Sequence, residues 1–110
     1  MAITLSGTNG VTFPSTSVQS DASVGYGQTW QNLTASRTSG TTYTNSTGKT
    51  IVVAISTSGT VALSITVGGV LVCSVPSLTA SDIVGGNAIV PNGATYVVSC
   101  SGISVWAELR

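Results

Sequence analysis

Two runs in the middle of the chain constrain the fold more than any other feature. From Thr50 to Thr57, Ile51, Val53 and Ile55 alternate with smaller or polar neighbours. From Thr60 to Val67 the same rhythm puts Val61, Leu63 and Ile65 on one side. A period of two places every second side chain on one face of an extended strand, so each run predicts a half-buried β-strand. Ser58-Gly59 separates the runs as a tight turn. Gly68-Gly69 follows the second run as a hairpin signal, because both positions accept positive φ. Val70 to Val75 is apolar on both faces except for Ser74, which predicts a central strand or one covered on both sides. Pro76 closes it, having no amide to donate.

The same punctuation continues in both directions. Gln28 to Thr34 and Thr41 to Thr44 read as strands around Trp30, Leu33 and Tyr43. Ile83-Val84, Gly85-Gly86 and Ala88 to Val90 read as two short pieces or one bulged strand. Pro91-Asn92-Gly93 is a turn, followed by a strand over Ala94 to Cys100. Ser101-Gly102 is another tight turn, and Ile103 to Leu109 is the last strand, with Val105 and Trp106 facing opposite ways. No segment carries a helical period or a capping box before an apolar run. Eight or so strands at this spacing predict an all-β fold, an antiparallel β-sandwich of jelly-roll type over residues 25–110. Residues 1–24 differ: two short extended pieces flank Thr8-Asn9-Gly10, then Pro14 interrupts, then a polar stretch follows. They predict an extended N-terminal arm or stem that orders against a partner.

Ionic groups are scarce enough to exclude whole classes of function. The 110 residues carry three basic and three acidic side chains and no histidine, for a net charge of zero. Arg37, Lys49 and Arg110 cannot make a basic face that releases counterions, so no nucleic-acid partner is expected. Two cysteines without histidine assemble no zinc site of the usual type, and no metal or cofactor is expected. Ser-His-Asp and Cys-His machinery is absent, and Asp21, Asp82 and Glu108 are far apart in the sequence, so no catalytic residue is expected. Gly25-Tyr26-Gly27 lacks the third glycine and the following helix of a phosphate loop. No stretch approaches the ~18 apolar residues of a membrane-spanning helix. The N-terminus does not read as a signal peptide. The sequence therefore predicts cytoplasmic synthesis without membrane insertion. In that compartment Cys73 and Cys100 read as small buried apolar residues, although strand pairing that brought them together would allow a disulfide. Asn32-Leu33-Thr34 and Asn45-Ser46-Thr47 match glycosylation sequons, which a Thr-rich chain produces by chance.

Ser and Thr make up close to a third of the chain, and the apolar residues are mostly Val, Ile and Ala. A neutral chain with so few charges is poorly protected against association. It predicts that much of the surface is covered by other chains; an ordinary neutral β domain is the alternative. Arg37 and Glu108 are the candidate polar anchors of an interface, with Lys49 weaker, or these groups pair with one another. Trp30 and Trp106 are candidate glycan contacts, because aromatic faces pack on sugar C–H groups. The alternative places them in the core.

Specific runs then carry a family resemblance. Gly25-Tyr26-Gly27-Gln28-Thr29-Trp30-Gln31-Asn32, Arg37, Thr42-Tyr43-Thr44-Asn45-Ser46-Thr47-Gly48-Lys49, Val90-Pro91-Asn92-Gly93-Ala94-Thr95-Tyr96 and Trp106-Ala107-Glu108-Leu109-Arg110 resemble modules of tailed bacteriophage and prophage structural proteins, often found at the ends of tail fibres. Ile3 to Gly7, Gly10 to Pro14 and Ser17 to Ser20 resemble a stem segment of such proteins. Ser15-Thr16 stands where those often have an Asp-Gly turn. The resemblance implies a non-enzymatic virion component, made in the bacterial cytoplasm, on the tail as a fibre or tail-associated part in assembly and host attachment. A homotrimer contacting other virion proteins and a host surface glycan is the expected arrangement. A capsid decoration (cement) protein is the runner-up, a free carbohydrate-binding module the third reading, and a compact hydrolase a distant fourth.

Overall fold

The computed structural model describes residues 4–6, 10–12, 18–19, 24–59, 61–76 and 83–110. Eleven strands follow in chain order: β1 Thr4–Ser6, β2 Gly10–Thr12, β3 Val18–Gln19, β4 Trp30–Asn32, β5 Thr42–Thr44, β6 Ile51–Thr57, β7 Leu63–Val67, β8 Val70–Val75, β9 Gly85–Val90, β10 Thr95–Cys100 and β11 Ile103–Leu109. The first three pair antiparallel in a small sheet of their own, with Leu5 opposite Val11. The two extended pieces expected on either side of Thr8-Asn9-Gly10 are thus partners in one sheet. Of the rest of the expected arm, only Val18–Gln19 and Val24 are among the described residues.

β4 to β11 form two four-stranded antiparallel sheets, ordered β4-β11-β6-β9 and β5-β10-β7-β8. The pairings nest: β7 with β8, β6 with β9, β5 with β10, β4 with β11. This is one long double strand, tipped by the β7–β8 hairpin and rolled so that β6 meets β11 and β7 meets β10. That roll is the eight-stranded jelly roll. The chain changes sheet at each end of the sandwich. Ser58-Gly59 and Ser101-Gly102, expected as tight turns, both carry the chain from one sheet to the other instead of closing hairpins. Ser58 N–H donates to the Gly102 carbonyl at 2.7 Å, so the two crossings brace one another. Gly68-Gly69 does close a hairpin, with φ of 58° and 81°, the left-handed pair that such a two-residue loop requires.

Period-two alternation fills the core. Ile51, Val53, Ile55 and Thr57 of β6 point inward, as do Leu63, Ile65 and Val67 of β7. They meet Ala88, Val90, Tyr96, Val98, Cys100 and Trp106. Cys73 and Cys100 are free thiols, Cys100 buried and Cys73 partly so. The expectation for Val70–Val75 does not hold. β8 is an edge strand, and Val70, Leu71 and Val72 are half or more exposed. The glycine hairpin ties β8 to β7, whose other side is taken by β10, so β8 is left at the rim.

Candidate functional site

Ionic groups are rare, and three of the four described ones, Arg37, Glu108 and Arg110, gather in one cluster. β11 alternates, sending Trp106 and Glu108 into the sandwich. The Glu108 carboxylate has no exposure at all. Its Oε2 accepts from Arg37 Nε at 3.1 Å, from the Tyr96 hydroxyl at 3.0 Å and from the Trp106 indole N–H at 2.9 Å. Its Oε1 accepts from the second Arg37 nitrogen at 3.3 Å, and Arg110 lies 3.6 Å away. The Arg37 guanidinium sits 4.8 Å above the Tyr43 ring, which packs against both Tyr96 and Trp106. Glu108 and Trp106 belong to one sheet, and Tyr96 and Tyr43 to the other, so the cluster bolts the sheets together. Burial works against the Arg37 charge, but the hydrogen bond and charge of Glu108 outweigh it and raise an already high basicity. Burial pushes the Tyr96 phenol up, and the Glu108 carboxylate pushes the same way.

Such a carboxylate holds four hydrogen bonds from three side chains and is sealed from water, as a structural anchor requires. The expected interface role of Arg37 and Glu108 is corrected accordingly. They anchor each other inside one chain, because a lone buried charge needs its counter-ion nearby. Lys49 is exposed and joins no ion pair among the described residues. Trp106 is corrected too: at 1% exposure, with its N–H committed to Glu108, it cannot meet a glycan. Trp30, on the edge strand β4, is 56% exposed.

Both sequon matches serve local structure. At Asn32 and Asn45 the side-chain oxygen accepts from the backbone N–H and the hydroxyl of the Thr two residues on, Thr34 and Thr47. Thr34 Oγ1 then accepts from Trp106 N–H at 2.9 Å. Asn45 is wholly buried, and its amide donates to the carbonyls of Lys49, Val90 and Pro91. The Asn-x-Thr spacing is the sequence signal for these turns.

A shallow hollow of about 460 Å³ lies on the β10-β7-β8 side, lined by Ser39, Ser64, Ser74, Ser99 and Ser101 beside Leu63 and Val75. Ser99, Ser64 and Ser74 are direct cross-strand partners, so they form a hydroxyl row. No acid or base is among the described lining residues.

The opposite outer face is different. On the β4-β11-β6-β9 sheet, register puts Trp30, Leu109, Val52 and Ile89 in one row across all four strands. The next row is Asn32, Ala107, Ala54 and Asn87. These residues alternate with inward-pointing Glu108, Val53 and Ala88, so they point outward. Beyond them Val105 stands opposite Ser56. Neither row contains a charge. Trp30 and Ile89, at opposite ends of the first row, are 56% and 64% exposed. A soluble sandwich normally shows polar side chains here. The candidate site is therefore a surface, an apolar sheet face framed by two asparagines. Comparison with family models, curated proteins and solved structures finds no match for this chain.

Proposed function

We propose that the protein is a non-enzymatic structural subunit of a tailed-bacteriophage particle, most simply a tail-fibre or tail-associated component that assembles through its apolar outer sheet face. The observation carrying the assembly part of this reading is that face: a charge-free row of Trp30, Leu109, Val52 and Ile89 on the outside of the sandwich. Burying such a surface against another chain is favourable at about 25 cal/mol per Å² of apolar area. Jelly rolls serve in viral shells and in lectins alike, so the fold is compatible with the role but does not select it. The phage assignment rests on the resemblance of the Gly25–Asn32, Thr42–Lys49 and Val90–Tyr96 runs. A role on the capsid as a cement protein uses the same face, with the shell in place of a second subunit. Host attachment would fall to groups outside the assembly face, such as the serine-lined hollow on the other sheet.

Particles purified from the producing strain test the proposal. The chain should co-purify with particles on a density gradient, and antibody labelling should place it on the tail. Labelling on the head would select the cement role. Absence from intact particles would overturn the structural role.

A further inference from the structure

We infer that the outer face of the β4-β11-β6-β9 sheet is self-complementary and binds a second copy of this chain about a two-fold axis parallel to its strands; this rests on the assembly reading above and names the partner of that face. Such an axis, placed between β11 and β6, keeps each row at its own level and reverses the strand order. β4 then opposes β9 of the copy, and β11 opposes β6. The registered rows decide what meets what. Trp30 faces Ile89 of the copy, and Leu109 faces Val52. In the next row Ala107 faces Ala54, so the smallest side chains meet where the two sheets are central. Asn32 faces Asn87, so amide meets amide at both margins. The Asn32 oxygen already accepts from Thr34, which leaves its amide hydrogens to donate across the contact.

Charge favours a copy as the occupant. No ionic group stands in either row, and the whole chain is neutral, so two copies approach without repulsion or desolvated charge. Aligned packing of two sheets is one of the two stable ways that sheets meet face to face. Three strands of six or seven residues and the three-residue β4 give a patch about 19 Å wide and up to about 20 Å long, on the order of 700 Å² for the pair. That falls in the class of weak, transient contacts, so the pair forms and dissociates with concentration.

Light scattering coupled to size exclusion, over low to several hundred micromolar protein, reads the outcome. The expected mass rises from 10.9 kDa toward twice that value. Val52→Glu, at the centre of the first row, should hold the protein at the single-chain mass. Leu71→Glu, on the exposed rim of the other sheet, should leave the doubling intact; circular dichroism confirms folding of both. In a Cys73→Ser background, Asn32→Cys mixed with Asn87→Cys should cross-link with a short bis-maleimide. Asn32→Cys alone should not, since equivalent positions would lie about 14 Å apart sideways, three strand spacings. A threefold mass, or loss of association through Leu71→Glu and not Val52→Glu, overturns the two-fold pair and leaves self-assembly standing. A single-chain mass throughout overturns the pair; if the chain is also missing from purified particles, the assembly reading falls with it.

Discussion

Removing the Glu108 carboxylate should damage this fold more than removing any other charge. In Glu108→Ala, three donors lose their acceptor at once: Arg37, the Tyr96 hydroxyl and the Trp106 indole N–H. Breaking a buried ion pair from one side costs about 3–5 kcal/mol. A stranded buried donor costs about 1–3 kcal/mol. The two penalties overlap, since Arg37 can partly reach solvent, so about 4 kcal/mol is the working value. A domain of this size has only about 5–15 kcal/mol in total. Arg37→Ala is milder, because Glu108 keeps Tyr96, Trp106 and the more distant Arg110; about 1.5–3 kcal/mol is expected for one lost charged hydrogen-bond partner. The double variant should then cost little more than Glu108→Ala alone, giving a coupling of about 1.5–3 kcal/mol. Urea unfolding read by Trp106 fluorescence, in a Trp30→Phe background, measures all three. The reasoning is refuted if Arg37→Ala costs as much as Glu108→Ala, or if Glu108→Ala costs under about 1 kcal/mol.

Four further outcomes follow from the same structure. Trp106→Ala should cost about 3–5 kcal/mol as a buried aromatic, and Trp30→Ala should stay within about 0.5 kcal/mol for the isolated chain, both by chemical denaturation. The folded-state affinity of Tyr96 for its proton is raised, so its contribution is complete below the ordinary tyrosine value near 10 and is lost as pH climbs through the folded value; thermal melts should fall in that alkaline window, and Tyr96→Phe should flatten the fall. A methyl at Gly86 would sit 2.6 Å from Cys73 Sγ and 3.2 Å from Leu63, so Gly86→Ala should cost about 1–3 kcal/mol, with Cys73→Ala added to it restoring part of the loss. Asn45→Ala strips a buried amide that serves three carbonyls and should lower stability by about 2–4 kcal/mol in denaturant titration, whereas Asn32→Ala, on an exposed strand edge, should cost about 1.

The strands were legible where local chemistry alone decides them. Ile51-Val53-Ile55 and Leu63-Ile65 announce their inward faces, and Gly68-Gly69 announces its hairpin, because each signal lies within a few residues. Sheet membership was not legible. Ser58-Gly59 and Gly68-Gly69 look alike as turn signals, yet one crosses between sheets and the other closes a hairpin. The difference is set by pairing with β10 and β11, far along the chain. The edge position of Val70–Val75 was missed for the same reason. Arg37 and Glu108 could be singled out by scarcity, and pairing between them was among the readings. Their burial needed the alternation of β11, with Trp106 inward and Glu108 two residues on, combined with the arrival of Tyr96 from the other sheet. The outer row of Trp30, Leu109, Val52 and Ile89 could not be assembled from sequence, since its members come from four strands whose registers are fixed only by the fold.

The distribution of polar and apolar groups bears on why the chain carries so few charges. Ordinary domains place ionic side chains outward, where they keep neighbouring molecules apart. In this sandwich the densest ionic group, Arg37 with Glu108 and Arg110, is turned toward the interior. There it contributes specificity of pairing between the sheets and gives the surface little repulsion. Meanwhile Val52, Ile89 and Trp30 stand outward on a face where a single lysine would have blocked stacking. Ala107 and Ala54 at the middle of that face keep it low enough for another sheet to approach to the usual ~10 Å spacing. A surface built for solvent gains nothing from two central alanines flanked by asparagines, whereas a surface built for contact gains close approach in the middle and hydrogen bonds at the rim. Lysine at position 54 is therefore the decisive inversion: Ala54→Lys should leave the melting temperature of the dilute protein nearly unchanged, because the side chain points outward, while abolishing the concentration-dependent rise in mass. Equal loss of both would place Ala54 in the folding core and remove the contact face.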